Sequence, residues 1–302
     1  MPLPYVDLPE LVLLPAGELH PRVGVLSLKP FGILVAAAVY VGARAALSYG
    51  AKRGLSSKVL GSFIFWVVLV GFVGGHVLDV VFYDPERLRD DPLALLRLWD
   101  GLSSFGGFTG AAIGAFLWRL RHKAPILAYS DAVASGLPLG WIFGRAGCAV
   151  VHDHPGLQSL SALAVNFPDG PRFDLGLLEM LLTIPIAVGF LWLQRRAYPW
   201  GFFLAVLGLV YAPIRFALDF LRIHEPERVA GVLLTPDARY AGLTPAQWAC
   251  LALFGFSAWR LQRTLRSAGE PHAFGAPALP AAFATELGSG AQPHGAGQDP
   301  RD

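Results

Sequence analysis

Apolar residues fall in long blocks along this chain, not in the one-sided stripes of a soluble helix. About seven blocks are long enough to cross a hydrocarbon core of roughly 30 Å as helices. They run approximately over 31–49 (FGILVAAAVYVGARAALSY), 59–82, 105–120, 126–151, 175–193, 200–221 and 243–262. The third block is short and opens GGFTGAAIG, where small residues let helices approach closely. Gly136, Pro138 and Gly140 interrupt the fourth, which predicts a kink or an unwound turn there.

The polar segments between blocks are of two kinds. One set is compact and basic: Lys52, Arg53 and Lys58; Arg119, Arg121 and Lys123; Arg195 and Arg196; Arg260, Arg263 and Arg266. The other set is longer and mixed in charge: DPERLRDDPLALLRLWD, HDHPGLQSLSALAVNFPDGPRFD and RIHEPERVAGVLLTPDARYAGL. Short basic loops stay on the cytoplasmic side. The expected architecture is therefore an all-α, polytopic integral membrane protein with about seven transmembrane helices. Its N-terminus would face outward and its C-terminus the cytoplasm. Residues 1–267 would form the membrane domain. Residues 268–302, rich in Gly, Ala and Pro, read as a disordered cytoplasmic tail.

Composition agrees: 54% of the 302 residues are hydrophobic and 15% charged, where a soluble domain carries about 25% charged. The formal net charge of +2 says little about partners and gives no sign of nucleic-acid binding. Cys148 and Cys250 lie in different blocks and suggest no disulfide framework. The N-terminal segment lacks a basic n-region and a small-residue cleavage site, so it does not read as a signal peptide.

Ionisable groups inside apolar blocks are functional candidates, because each is costly there. The densest run is GWIFGRAGCAVVHDHPG, which places Arg145, Cys148, His152, Asp153 and His154 within one short stretch. Arg145 has no acid at helical spacing in its own block and needs a partner from another helix or a ligand. Arg215 and Asp219 are four apart and share a helix face, so they can form a self-contained ion pair. Asp131 begins the fourth block, where a carboxylate suits the helix N-terminus. By depth, Arg145, Arg215, Asp219, Glu179, Asp79 and His76 all lie toward the outer side. Two guanidiniums at similar depth suit an anionic ligand, and in a membrane that is a phospholipid head group.

These residues resemble the prolipoprotein diacylglyceryl transferase family. DPLALLRLWDGLSSFGGFTGAAIG looks like the family's D-P-x-x-x-x-x-x-W-D-G-G-x-S-F-H-G-G-x-x-G stretch, and GWIFGRAGC like the start of its G-R-x-x-N-F-x-N-x-E signature. LGLLEM resembles its Q-L-Y-E segment, YAPIRFALDFLR its Y-x-x-x-R-x-x-x-E-x-x-R helix, LTPAQW the opening of its last span and LKPFGI that of its first. The matches keep family order over residues 28–260.

The resemblance implies a seven-helix enzyme of the bacterial inner membrane with a periplasmic N-terminus. Its reaction moves a diacylglyceryl group from phosphatidylglycerol to the lipobox cysteine of a prolipoprotein signal peptide, without a cofactor. Arg145 would hold the head-group phosphate and Arg215 would stabilise the leaving phosphate. Asp219 stands for the paired glutamate. Gly106, Gly107, Gly110, Glu179 and Gln247 would contact substrate, and the chain's own Cys148 and His76 are added as substrate-contact candidates.

The chain also departs from the family. Phe105 replaces a histidine, Cys148 and Val151 replace two asparagines, and Phe31 replaces a tyrosine. Asp153 falls at the signature glutamate, flanked by His152 and His154. Two readings stay open. In one, this HDH and His76 supply the base lost at Phe105. In the other, the arginine cradle binds lipid while transfer is lost or redirected, or the protein is a non-enzymatic lipid-binding membrane protein. No metal site is expected, because HxH with an adjacent acid has no longer ligand motif around it. A transporter reading is disfavoured by charges gathered toward one face and by the lack of an internal repeat.

Overall fold

The computed structural model describes residues 1–6, 8, 9, 11–14, 26–82, 88, 89, 91–96, 103–269, 274, 275, 277, 280 and 283. Helices dominate these residues. They are α1 (Pro30–Lys52), α2 (Ser57–Phe82), α3 (Ser104–His122), α4 (Leu127–Val151), α5 (Leu175–Leu193), α6 (Phe202–Leu218) and α7 (Pro245–Arg266). Each lies on one of the seven apolar blocks. Five of them, α1, α2, α4, α5 and α6, are long and apolar enough to cross a membrane. The helices on the short third block and the last block do not reach that standard. α3 ends in WRLRH and α7 in RLQRTLR, and these basic turns dilute their apolar content.

The chain divides into two compact units, Gly54–Tyr129 with Ala276–Asp302, and Met1–Arg53 with Ser130–Gly275. The former is built on α2 and α3. Gly74 faces Gly106 and Gly110, Trp66 faces Gly114, and Ser62 faces Trp118, so the two helices run antiparallel. The small residues of GGFTGAAIG permit this approach: a Cβ at Gly106 would lie 2.5 Å from the Gly74 carbonyl oxygen. Ser103 caps α3 by accepting the Gly106 N–H at 3.3 Å. Phe63, Trp118 and Tyr129 close the far end as an aromatic cluster.

In the other unit α4 crosses α1 at its own small residues. A Cβ at Gly136 would lie 2.6 Å from the Gly42 oxygen, and one at Gly140 2.5 Å from the Ala38 oxygen. No unwound turn occurs at Gly136, Pro138 and Gly140, since α4 is helical throughout with Pro138 inside it. The glycines serve the helix crossing instead. Asp131 also differs from expectation. It does not cap α4, which begins four residues earlier. Its Oδ1 accepts the Leu204 N–H at 2.9 Å, at the first turn of α6. The carboxylate thus complements another helix's N-terminus, where Gly201 at φ +97° offers no capping side chain.

Short strands fill segments that the sequence left as loops. β1 (Leu11–Leu14) pairs antiparallel with β2 (Leu26–Leu28). β3 (Pro155–Gln158), β4 (Ala164–Phe167) and β5 (Gly170–Asp174) form an antiparallel sheet in the order β3-β5-β4. β6 (Glu227–Val229) and β7 (Val232–Leu234) form a hairpin. Its two-residue turn, Ala230 and Gly231, has positive φ at both positions, as the twist of such a hairpin requires. Arg172, fully buried on β5, donates to both Glu227 carboxylate oxygens at 3.3 and 2.8 Å and to the Gly156 carbonyl at 3.1 Å. It ties the sheet to the hairpin. The described part of the tail also makes contacts: Trp200 Nε1 donates to the Gly275 carbonyl at 2.7 Å, and Phe283 stacks on His122.

Candidate functional site

The site grows from the second half of α4. Trp141, Arg145 and Cys148 recur there at helical spacing and share a face. Arg145 is 8% exposed and meets Glu179 of α5, Nε to Oε1, at 2.9 Å. The partner that the sequence required from another helix is therefore protein. The same Oε1 accepts from Trp141 Nε1 at 3.0 Å and from the Tyr211 hydroxyl of α6 at 2.8 Å. Three helices converge on one carboxylate oxygen. The guanidinium also lies 4.9 Å from the Trp141 ring centroid, and Nη1 reaches Cys148 Sγ at 3.7 Å. An arginine held this way keeps its charge in an apolar span with its orientation fixed.

One turn beyond Tyr211 on the same face of α6 stands Arg215. Its Nη2 pairs with Asp219 Oδ1 at 3.1 Å, so the expected ion pair forms, but it is not self-contained, because Arg222 Nη1 approaches the same oxygen at 3.8 Å. Asp219 is buried and also accepts the Thr244 hydroxyl. Thr244 in turn caps α7 in a capping box with Gln247. Gln247 is fully buried and its amide donates to the Phe216 carbonyl at 3.2 Å. Its polar atoms thus join α6 to α7.

The HDH run splits in two. His152 has φ 51° and places Nδ1 2.6 Å from Asp174 Oδ2 and Nε2 3.2 Å from the Val6 carbonyl oxygen. Its ring stacks on Tyr5 at 4.1 Å. Both ring nitrogens are engaged, so His152 acts as a strut between the N-terminal segment and Asp174. Asp174 also caps α5 through the Leu177 N–H at 3.0 Å, and burial pushes its carboxyl above the usual range. Past the left-handed turn at His152, Asp153 and His154 contact each other and return toward Cys148. One ligand atom from each of Cys148, Asp153 and His154 lies within 4.8 Å of the other two.

Four remaining candidates belong to the other compact unit. Gly106 and Gly110 are consumed by the α2–α3 packing, whereas a Cβ at Gly107 would meet nothing closer than 4.0 Å. His76 is fully buried, its Nε2 3.0 Å from the Ala94 carbonyl oxygen. The side chain of Phe105 lies outside the described residues.

Sequence reasoning missed Trp141, Tyr211 and Asp174. Two of them carried a signal: Trp141 is four residues before Arg145, and Tyr211 four before Arg215. Asp174 carried none, because its link to His152 is purely tertiary.

Fold and site define a multi-pass α-helical membrane protein with a buried arginine fixed by acid, indole and phenol at a polar rim. The sequence pattern of the family described as prolipoprotein diacylglyceryl transferase matches residues 20–262. The chain belongs to that family. It is 30% identical over 239 residues to the phosphatidylglycerol–prolipoprotein diacylglyceryl transferase of Nitratidesulfovibrio vulgaris (strain Miyazaki F), covering 78% of this chain and 87% of the relative. The protein of the same name from Chromohalobacter salexigens is 31% identical over 210 residues, covering 65% and 79%. That of Bordetella avium is 30% identical over 242 residues, covering 77% and 89%.

Proposed function

We propose that this protein is a phosphatidylglycerol–prolipoprotein diacylglyceryl transferase of the bacterial inner membrane. It crosses the bilayer with seven helices, N-terminus periplasmic and C-terminus cytoplasmic. Family membership gives the reaction class. The observation that carries the site is Arg145, at the position of the family's signature arginine, held by Glu179 in an apolar span.

Each group then has a role. Arg145 binds the phosphate of phosphatidylglycerol, and Glu179, Trp141 and Tyr211 orient its guanidinium. Arg215, steadied by Asp219, stabilises charge on the phosphate as it leaves. The acceptor is the cysteine thiol of a prolipoprotein lipobox. Its thiolate attacks the glyceryl carbon, the carbon–oxygen bond to phosphate breaks, and glycerol 1-phosphate departs. Asp153 and His154 stand at the polar end of α4, where the acceptor arrives. Gly107 is open to lipid.

The test uses purified protein in phosphatidylglycerol vesicles with a lipobox peptide. Mass spectrometry should find a diacylglyceryl adduct on the peptide cysteine, lost in Arg145→Ala. Lipid binding that depends on Arg145 without any adduct would overturn the enzyme reading. It would favour a lipid-binding homologue altered at Phe105 and Cys148.

A further inference from the structure

A thiol, a carboxylate and an imidazole converge where α4 ends, and the transfer scheme above gives them no shared task. Cys148 lies on the last turns of α4 and is buried. Asp153 and His154 follow the left-handed residue His152. That turn is fixed on both sides: the His152 ring by Asp174 and Val6, and the His154 carbonyl oxygen by the Leu175 N–H at 2.9 Å. The fold therefore spends one histidine to aim the next two residues back at the cysteine. The three ligand atoms lie within 4.8 Å of one another. Around zinc, bonds of about 2.0–2.3 Å put tetrahedral donors about 3.5 Å apart. The three side chains are already within that reach, and the direct Asp153–His154 contact would open as the ion enters.

We propose that Cys148, Asp153 and His154 form a site for a divalent cation of the zinc class, whose fourth position receives the acceptor cysteine as a thiolate. The donor set fits the ion. A thiolate with an imidazole suits zinc, and three protein ligands leave the open position of a reactive site. Before the acceptor binds the charges balance, since a thiolate and a carboxylate neutralise a divalent ion; the acceptor thiolate then adds one negative charge. Arg145 is paired through Nε with Glu179, which offsets part of its charge on the side away from Cys148.

The role, which rests on the transferase reading, follows from position. A thiol that coordinates zinc gives up its proton, here to water. The family's histidine is replaced by Phe105, and a metal ion supplies what that base would have done. Arg145 Nη1, 3.7 Å from Cys148 Sγ, sets the phosphate cradle beside the metal position. The bound sulfur then forms its bond to the glyceryl carbon, and the carbon–oxygen electron pair leaves on the phosphate.

The experiment strips the detergent-purified full chain with a chelator and titrates it with Co2+. One equivalent should bind, with thiolate-to-cobalt charge-transfer absorption in the near ultraviolet. Cys148→Ser should remove that absorption. Asp153→Asn, an isosteric change at an exposed side chain, should weaken binding by more than the roughly 10–100-fold seen when a group that only supports a ligand is lost. Absence of the absorption, or its persistence in Cys148→Ser, overturns the site. In parallel, transfer to a lipobox peptide should be lost in the stripped protein and restored by Zn2+. Undiminished transfer without metal overturns the role while the transferase reading stands. Failure of transfer with and without Zn2+, with the cobalt absorption intact, sinks the transferase reading and leaves the metal site.

Discussion

Arg145 and Glu179 form a buried ion pair between α4 and α5, and the same Glu179 oxygen is held by Trp141 and Tyr211. Under the proposed function the carboxylate is a positioning group, because it fixes the guanidinium that would bind the lipid phosphate. Removing one partner of a buried pair leaves an uncompensated charge, at a cost of about 3–5 kcal/mol. Glu179→Gln should therefore lower the unfolding midpoint in detergent. On the folded protein, transfer should fall about 10–100-fold, against at least about 100-fold for Arg145→Ala. Glu179→Asp should recover part of the rate. Equal rates for wild type and Glu179→Gln would remove the positioning role.

The Asp131 carboxylate supplies the acceptor that the α6 N-terminus lacks. Asp131→Ala should cost about 1–2 kcal/mol, the scale of a lost cap. Asp131→Asn keeps an acceptor oxygen and should cost less. Thermal unfolding of the three proteins side by side checks this. An Ala variant as stable as wild type would mean that α6 needs no cap there.

The segment pattern of this chain was readable because bilayer thickness fixes helix length, and all seven helices lie on the apolar blocks. Contacts that depend on how helices turn toward each other were not readable. Glu179 was recognisable as a costly buried acid, but its pairing with Arg145 depends on the relative rotation of α4 and α5. Asp131 stands near the start of one helix and serves another, which no local rule could reveal. Gly136, Pro138 and Gly140 predicted a kink or an unwound turn, but the helix is continuous there and its two glycines serve a close crossing with α1. The strands at 155–174 escaped notice because a mixed polar segment carries only weak alternation. His152, Asp153 and His154 read as one cluster, and only the positive φ at His152 separates the strut from the pair that faces Cys148.

The link between Arg172 and Glu227 makes part of the fold sensitive to acid. Hydrogen bonds from Arg172 hold the Glu227 carboxyl below its usual value of about 4.3. A depressed folded-state pKa stabilises the fold above the unfolded value, and that contribution is lost as pH falls through the folded one. The melting temperature of wild type should exceed that of Glu227→Gln at pH 7, and the two should converge below about pH 4. A gap that stays constant from pH 7 to pH 3 would show that the pair contributes nothing through its charge.

Two glycines of α3, one turn apart, should respond oppositely to the same change. A Cβ at Gly110 would overlap the Val70 carbonyl oxygen and lie 3.0 and 3.1 Å from the Gly71 and Gly74 Cα atoms of α2. Backbone cannot rotate away as a side chain can, so Gly110→Ala forces α2 and α3 apart. Overpacking of this kind costs about 1–3 kcal/mol. At Gly107 the nearest atom to a Cβ would be 4.0 Å away, and alanine is the better helix former by up to about 1 kcal/mol. Gly107→Ala should therefore melt at or above the wild-type temperature, and Gly110→Ala several degrees below it. Equal losses at both positions would mean that α3 meets something other than α2 on the Gly107 side.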